Sequence, residues 1–488
     1  MIVRILLVVT ALSTGWFAGP ARAQTFPSSL FPVPTPLRLE DVVASILSQY
    51  PPLLAAQIEQ DVANGRLRSA QGVFDFNAFS KVFGAPAGYY QYGTADVGFE
   101  QFTGIWGSTI FGGYRYTGGD ALPYYYNNRT EGDGEVRFGL DFPILKDGSI
   151  DKRRAALFKA RLDQKLAQPV IDRQRLDFVR AGSMAYFNWA ANGQKLTISS
   201  NLLRLALNRN VALTNQFEAG LLPKIVLTDN QRLVVSRELS LVQARRRFEA
   251  ASLTLSLFYR DGNGAPIVAP IDSVPPGFPT PPELDEAQVG IASHRAMDLR
   301  PELRRLQINR QKLEVDVRLA RNQLLPSLNA GAMVMNDFGK QIYFDLVDPQ
   351  VKAGLEFKIP LQRREARGRL DELEGQLGQL TNDQRFAQDR IRNEIWDAFS
   401  AYRAAFDQTR QTQLNVTLAQ ELLSAEESRF DLGISDLLAL QIREQAAFDA
   451  RTLDVDAATD VFRSLADYRA ATASDLAGSV RSPSTKAP

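Results

Sequence analysis

The chain contains the same succession of segments twice, and this duplication restricts its possible folds more than any other feature. Residues 51–71 align without a gap onto residues 301–321, at an offset of 250 residues. The segment VRFGLDFPI at 136–144 matches VKAGLEFKI at 351–359, at an offset of 215. The pattern predicts two copies of one unit, each ordered as helix, short β segment, long helix, glycine break and helix.

The duplication includes a repeated phrase, FEAGL at 217–221 and FDLGI at 430–434. Each phrase follows about 65 helix-compatible residues, which span on the order of 100 Å at about 1.5 Å per residue. Helices of this length favour coiled-coil packing against neighbouring helices over burial in one compact core. Because Gly220 and Gly433 can adopt the left-handed conformation that ends a helix, each phrase is predicted to be the tip of a helical hairpin.

The first 23 residues are predicted to be a secretory signal peptide. Arg4 precedes an apolar stretch, and the segment ends in the small-x-small sequence ARA before Gln24. A membrane-anchor helix is the alternative, although two glycines and a proline interrupt the apolar run. No later segment approaches the roughly 20 apolar residues of a spanning helix, so any insertion into a membrane must use strands.

The domain boundaries follow from the duplication and from composition. Residues 261–284 are rich in Pro and Gly and are predicted to form an extended connector between the two repeats. The predicted domains are, in order, a signal peptide (1–23), a Pro-rich N-terminal segment (24–38), a first repeat (39–260) with a β-hairpin at about 76–145 and a tip at residue 220, the connector (261–284), a second repeat (285–473) with a β-hairpin at about 327–361 and a tip at residue 433, and a disordered tail (474–488).

Two segments, 136–144 and 351–359, alternate strictly between apolar and other residues, as a strand with two different faces does. A half-buried strand of a soluble protein would alternate in the same way. The surroundings favour a membrane strand, because eight of the 14 tyrosines lie in the first-copy β region, and Tyr accumulates where an apolar wall meets water. These are Tyr89, Tyr90, Tyr92, Tyr114, Tyr116, Tyr124, Tyr125 and Tyr126.

One hairpin per copy gives about four strands per chain, with two open edges. In lipid, each unpaired backbone group at an edge costs several kcal/mol, so the sheet must close with further copies of the chain. Eight strands from two chains would fill their interior with side chains, so an aqueous passage needs at least three chains. The apolar faces would then meet lipid, and the lumen of the barrel would be lined by Arg137, Asp141, Lys352 and Glu356.

Composition excludes several classes of function. The net charge of +1 gives no support for a nucleic-acid partner. The chain has no cysteine and a single histidine, His294, which excludes thiolate metal sites, cysteine nucleophiles and a histidine metal cluster. No Gly-x-Ser-x-Gly elbow is present, and no carboxylate pair is singled out by its surroundings. We therefore predict no enzymatic activity, no metal and no cofactor.

The duplicated helix-hairpin-helix units, the signal peptide and the two tip phrases resemble the TolC-like outer-membrane efflux family. The resemblance covers about residues 38 to 473 and depends on the order of parts more than on any single motif. It implies a mostly α-helical fold with a small β portion. Three copies would form a 12-stranded barrel in the outer membrane of a Gram-negative cell, continuous with an α-helical barrel that projects into the periplasm.

The resemblance also implies a function and partners. The trimer would be the passive exit duct of a tripartite efflux or type I secretion system, opened by a periplasmic adaptor that connects to an inner-membrane pump of RND or ABC type. The tip residues expected to contact the adaptor are Phe217, Gly220, Leu221 and Pro223 in the first copy, and Phe430, Gly433 and Ile434 in the second.

The sequence departs from the family pattern at the periplasmic mouth. In the best-known members, acidic residues six and nine positions after the second tip glycine narrow the mouth, whereas this chain has Ala439 and Ile442 there. Asp436 or Asp229 could supply carboxylates near the constriction. Either residue could equally be a solvated helix residue, and Asp436 is also positioned to cap the returning helix.

Two other features leave alternatives open. A periplasmic coiled-coil adaptor or scaffold would also have a signal peptide and long helices, although it would not need the alternating strands. The first copy carries about 35 residues more than the second before residue 136. We interpret these extra residues as an external loop that partly covers the pore.

Overall fold

The computed structural model describes residues 33–89, 91–119, 130–342 and 348–477. The predicted signal peptide, residues 24–32 of the N-terminal segment, Tyr90, the three tyrosines at 124–126 and residues 478–488 of the tail lie outside these ranges.

Helices make up most of the described chain. They are α1 (Leu39–Gln49), α2 (Pro51–Gln71), α3 (Lys152–Glu218), α4 (Lys224–Ser256), α5 (Glu286–Leu299), α6 (Pro301–Gln323), α7 (Arg364–Asp431), α8 (Leu437–Thr472) and α9 (Ser474–Ala477). Local sequence explains several of the helix starts. Pro51 and Pro301 occupy the first position of α2 and α6, where a missing N–H costs nothing. The Asp151 carboxylate caps α3 by accepting the backbone N–H of Arg153 at 2.7 Å and of Arg154 at 2.9 Å.

The two long helices, α3 with 67 residues and α7 with 68, extend from the sheet to the tips. Helices α2 and α6 pack beside them near the sheet, and α4 and α8 pack beside them towards the tips. Four helices therefore lie side by side at each end, in the order α2-α3-α6-α7 near the sheet and α4-α3-α8-α7 near the tips. Ion pairs join α3 to α6, from Lys159 to Asp316 at 2.8 Å and from Lys312 to Asp163 at 2.6 Å.

The main apolar core lies at the middle of the long helices. Trp189 of α3 is fully buried there, as are Ile391 and Ile395 of α7. Tyr186 donates its hydroxyl to the Leu37 carbonyl oxygen at 2.9 Å, and burial raises the pKa of Tyr186 to about 12. The core therefore holds the residues before α1 as well as the long helices.

The connector between the repeats packs onto this core instead of bridging solvent. Ile267 and Ala269 are buried, and Phe278 contacts Phe187 and Phe462, with ring centroids 6.1 and 5.8 Å away. Its only regular element within the described residues is a short 3-10 turn, Ile271–Ser273.

The start of the predicted disordered tail is ordered, which corrects the prediction for residues 474–477. These residues form α9, and Leu476 is buried against Leu176 and Ala473. Burial of the apolar Leu476 side chain provides the stabilisation that composition alone did not reveal.

The β portion is one antiparallel sheet of six strands in the order β1-β2-β3-β4-β5-β6. The strands are β1 (Asn77–Ala85), β2 (Tyr92–Phe102), β3 (Thr109–Gly119), β4 (Glu135–Pro143), β5 (Ser327–Asp337) and β6 (Gln350–Lys358). The second repeat supplies the one hairpin expected of it, β5–β6. The first repeat supplies four strands, so the prediction of one hairpin per copy and about four strands per chain was wrong.

A tight turn at 103–108 joins β2 to β3 and so connects the additional hairpin, β1–β2, to the rest of the sheet. The N–H of Thr103 donates to the Ser108 carbonyl oxygen at 3.0 Å, and Gly104 and Gly107 both have a φ of +69°. Between this turn and β1, the residues interpreted as an external loop form strand β2. Strands β2 and β3 were not predicted from the sequence, because their glycines interrupt the alternation of apolar side chains.

Candidate channel wall and docking tips

One face of the sheet is apolar and exposed from β2 to β6. The pairing places Tyr114 beside Val97 and Val136, and Phe138 beside Val334, which in turn pairs with Val351. The outward direction of these side chains is clear from their exposure, which reaches 70% at Val351 and 73% at Leu355. An apolar face of this extent marks a surface that another apolar medium or partner covers.

The opposite face carries charge. Arg137, Asp141, Lys352 and Glu356 all lie on it, since each is an odd number of residues from the apolar positions of its own strand. The structure thus brings together on one face the four side chains predicted to line a lumen. Asp141, Lys352 and Glu356 are exposed, whereas Arg137 is partly covered by its neighbours.

Arg137 belongs to an ionic cluster that the sequence analysis missed. Its guanidinium donates to the Asp96 carboxylate of β2. Arg115 of β3 lies 3.3 Å from the same Asp96 carboxylate and 3.5 Å from the carboxylate of Glu135. Asp96 and Arg115 could have indicated the cluster, since they are opposite charges in the first-copy β region. They were overlooked because the strands that carry them are rich in glycine and were not recognised as strands.

The two tips have the same backbone geometry. In the first, the N–H of Gly220 donates to the Phe217 carbonyl oxygen and that of Leu221 to the Gln216 carbonyl oxygen, both at 2.9 Å. In the second, Gly433 donates to Phe430 and Ile434 to Arg429, again at 2.9 Å. The glycines have φ values of +74° and +72°. Both helices therefore end in a Schellman motif, which requires the left-handed conformation predicted for the two glycines.

The tips present apolar side chains to solvent. Leu221 is 73% exposed and Ile434 is 66% exposed, while Phe217 is just over one-third exposed. Two further exposed residues, Ile225 and Leu432, were not predicted and extend the apolar surface of each tip. Pro223 is the N-cap residue of α4, so it fixes the direction of the chain as it leaves the first tip.

The residues considered for the aperture lie at the N-cap or within the first two turns of the returning helices. Asp436 caps α8, because its carboxylate accepts the Ala439 N–H at 2.7 Å, as the sequence predicted. Ile442 is more than half exposed. Asp229 of α4 is partly exposed and lies 3.5 Å from Arg232 of the same helix.

A buried polar cluster lies behind the tips and joins the two repeats. Arg209 of α3 makes a two-pronged contact with Glu444 of α8, whose side chain is only 3% exposed. Arg237 of α4 donates to Gln445 of α8, and burial lowers the pKa of Arg237. Sequence reasoning missed these contacts because the partners are more than 200 residues apart.

Among the helices of the described ranges, none combines the length and the hydrophobicity needed to cross a bilayer. Residues 292–474, in the second repeat, match the family model described as "Outer membrane efflux protein". No curated protein matches the chain at a significant level.

The fold matches solved outer-membrane channels over most of its length. The MtrE outer membrane channel of Neisseria gonorrhoeae is 14% identical and has a TM-score of 0.63, covering 89% of this chain and 88% of its own. The CmeC channel of Campylobacter jejuni is 14% identical with a TM-score of 0.62, covering 91% and 89%. The outer membrane protein VceC of Vibrio cholerae is 16% identical with a TM-score of 0.62, covering 89% and 95%. The second repeat thus matches the outer membrane efflux protein family by sequence, and nearly the whole chain shares the fold of solved outer-membrane channels.

Proposed function

We propose that three copies of this chain form a passive exit channel in the Gram-negative outer membrane, with the helices projecting into the periplasm. The observation that carries the proposal is the exposed apolar face of the sheet, opposite a charged face, at one end of helices about 100 Å long. Such a sheet matches a wall between lipid and water. The helices then continue that wall as a tunnel across the periplasm.

Assembly of several copies is supported by the outer helices of the four-helix layer. On α4, Val235, Leu239 and Val242 are each about 60% exposed. On α7, Leu414 and Leu418 are about half exposed. These two helices form opposite edges of the layer near the tips, so the α4 edge of one copy can cover the α7 edge of the next.

We assign the tips to the docking of a periplasmic adaptor. Leu221, Ile434 and their exposed neighbours offer the apolar groups that a partner helix can cover. The adaptor would connect the channel to an inner-membrane pump of RND or ABC type, in efflux or in type I secretion. Opening follows when adaptor contacts separate the helical hairpins, and no catalytic step is required.

A conductance experiment tests the proposal. The purified mature protein is reconstituted in planar bilayers, and its oligomeric state is measured by light scattering in detergent. We expect a trimer with discrete conductance steps that rise when a tip variant loosens the closed end. A water-soluble monomer without β signal, or a protein that leaves the membrane fraction on carbonate washing, would support a periplasmic adaptor or scaffold instead.

A further inference from the structure

We propose that β6 of each copy pairs with β1 of the next, so that three copies of the six-stranded sheet close into one barrel of 18 strands. The hairpin β1–β2, which has no counterpart in the second repeat, is then part of the membrane wall. This inference rests on the proposed trimeric channel and gives the width of its barrel.

The added hairpin is a continuous part of the sheet. Every residue of β1 from Asn77 to Ala85 pairs with β2, and β2 pairs with β3 along its whole length. Asp96 of β2 contacts Arg115 of β3 and Arg137 of β4, and its side chain is only 11% exposed. Separation of the hairpin from β3 would leave these charges without their partners in a crowded region, which is strongly unfavourable.

Aromatic rings over glycines tie the first four strands together. Phe79 of β1 is paired with Gly98 of β2, where an added Cβ would lie 2.9 Å from the ring. Phe99 of β2 covers Gly112 of β3 at the same distance. Phe111 covers Gly139 in the same way across β3 and β4. Because each strand places a ring on the next, β1 is joined to the sheet by the same kind of contact that joins β2 to β3 and β3 to β4.

The two outer edges match each other. With an even number of antiparallel strands, β6 of one copy and β1 of the next also run antiparallel. Both strands have nine residues and neither contains proline, so both can form a full ladder. Val82 of β1 and Leu355 of β6 lie on the apolar face and are 77% and 73% exposed, so the joined sheet keeps one apolar surface.

The width of the helical layer is compatible with six strands per copy. Four helices at 8 to 10 Å spacing are about 32 to 40 Å wide per copy. Six strands at about 4.8 Å spacing and about 40° tilt are about 38 Å wide, whereas four such strands are only about 25 Å wide. The six-stranded sheet therefore joins the helical tunnel without narrowing. The 18-stranded barrel would be about 36 Å across between backbones, against about 24 Å for a 12-stranded one.

Disulfide cross-linking tests the junction, since the chain has no cysteine of its own. Ser80→Cys in β1 is combined in turn with Val351→Cys, Ala353→Cys and Leu355→Cys in β6. The matched series replaces Ser80→Cys with Tyr116→Cys in β3, the strand that would meet β6 if the barrel had 12 strands. The single-cysteine variants control for random collisions, and conductance is recorded for every variant.

We expect at least one Ser80 combination to give reducible covalent trimers, and the Tyr116 series to give none. Cross-links from Tyr116 in a conducting protein, without any from Ser80, would overturn the 18-stranded barrel and leave the channel intact. Monomers without conductance would overturn both the barrel and the channel. Electron cryomicroscopy of the reconstituted trimer gives an independent reading, and a barrel about 24 Å wide would also refute the inference.

Discussion

The two repeats have the same tip geometry and differ in the number of strands that they contribute to the sheet. Both long helices end in the same hydrogen-bonded glycine turn, with φ values of +74° and +72°. The first repeat contributes four strands and the second contributes two. A helical tip that docks a partner, as proposed here for both tips, tolerates little backbone variation, whereas a sheet can gain a hairpin whenever both of its edges remain able to pair. The two copies therefore share the geometry of their helix ends more closely than the number of their β strands.

The largest loss of stability is expected at the ion pair that joins the two repeats. Arg209→Ala leaves Glu444 of the other repeat buried without its partner, which should destabilise the tip half by about 3 to 5 kcal/mol. Limited proteolysis and thermal unfolding measure the loss. The double variant Arg209→Leu/Glu444→Leu is the control and should recover most of it. Equal stability of Arg209→Ala and the wild type would show that the repeats do not depend on this pair.

A charge on the apolar face compares the strands that the two repeats contribute to the sheet. Leu140→Asp in the first repeat and Leu355→Asp in the second should each reduce trimer assembly, because a carboxylate on the lipid face is unfavourable, though by less than the about 2 to 4 kcal/mol that Arg or Lys costs at the bilayer midplane. The controls, Asp141→Asn and Glu356→Gln, change the opposite face and should assemble normally. The measurement is the fraction of heat-resistant trimer in detergent. Robust trimers from both leucine variants would mean that the two faces have been assigned in reverse.

The tip glycines allow a direct test of the similarity between repeats. Gly220→Val and Gly433→Val place a β-branched residue at positive φ, at a cost of at least about 1 to 2 kcal/mol each. Both variants should lose export while still assembling as trimers. Gly375→Val is the control, because Gly375 lies within α7 without a positive φ, and an added Cβ meets no atom within 4 Å there or at the two tip glycines. Normal export by either tip variant would show that its tip is not needed in this conformation.

The smallest effect should distinguish the second tip from the first. Asp436→Ala removes the side-chain cap of α8, worth about 1 kcal/mol, whereas Pro223 provides no such cap to α4. In this variant, the backbone amides in the first turn of α8 should therefore exchange hydrogen faster than in the wild type, whereas those of α4 should not change. Asp436→Asn keeps the cap and removes the charge. A change in cation selectivity with Asp436→Asn would assign the residue to the aperture as well.

Sequence could predict the elements that local chemistry determines. The positive φ of Gly220 and Gly433 and the cap formed by Asp436 each depend on a few neighbouring residues. The hairpin β1–β2 was missed because glycines occupy positions where the alternating pattern needs side chains, and the rings that cover those glycines come from other strands. Contacts such as Arg209 with Glu444 could not be predicted, since only tertiary packing brings partners 235 residues apart together.

The aromatic stack at the middle of the molecule has a mechanical consequence. The rings of Phe187 and Phe462 lie 4.9 Å apart, and Phe278 of the connector contacts both. Tyr402 of α7 also donates its hydroxyl to the connector, at the Pro282 carbonyl oxygen. Long helices that are held together at their midpoint can bend on one side of these contacts without displacing the helices on the other side. In the proposed channel, the tips can therefore move apart while the sheet keeps its shape.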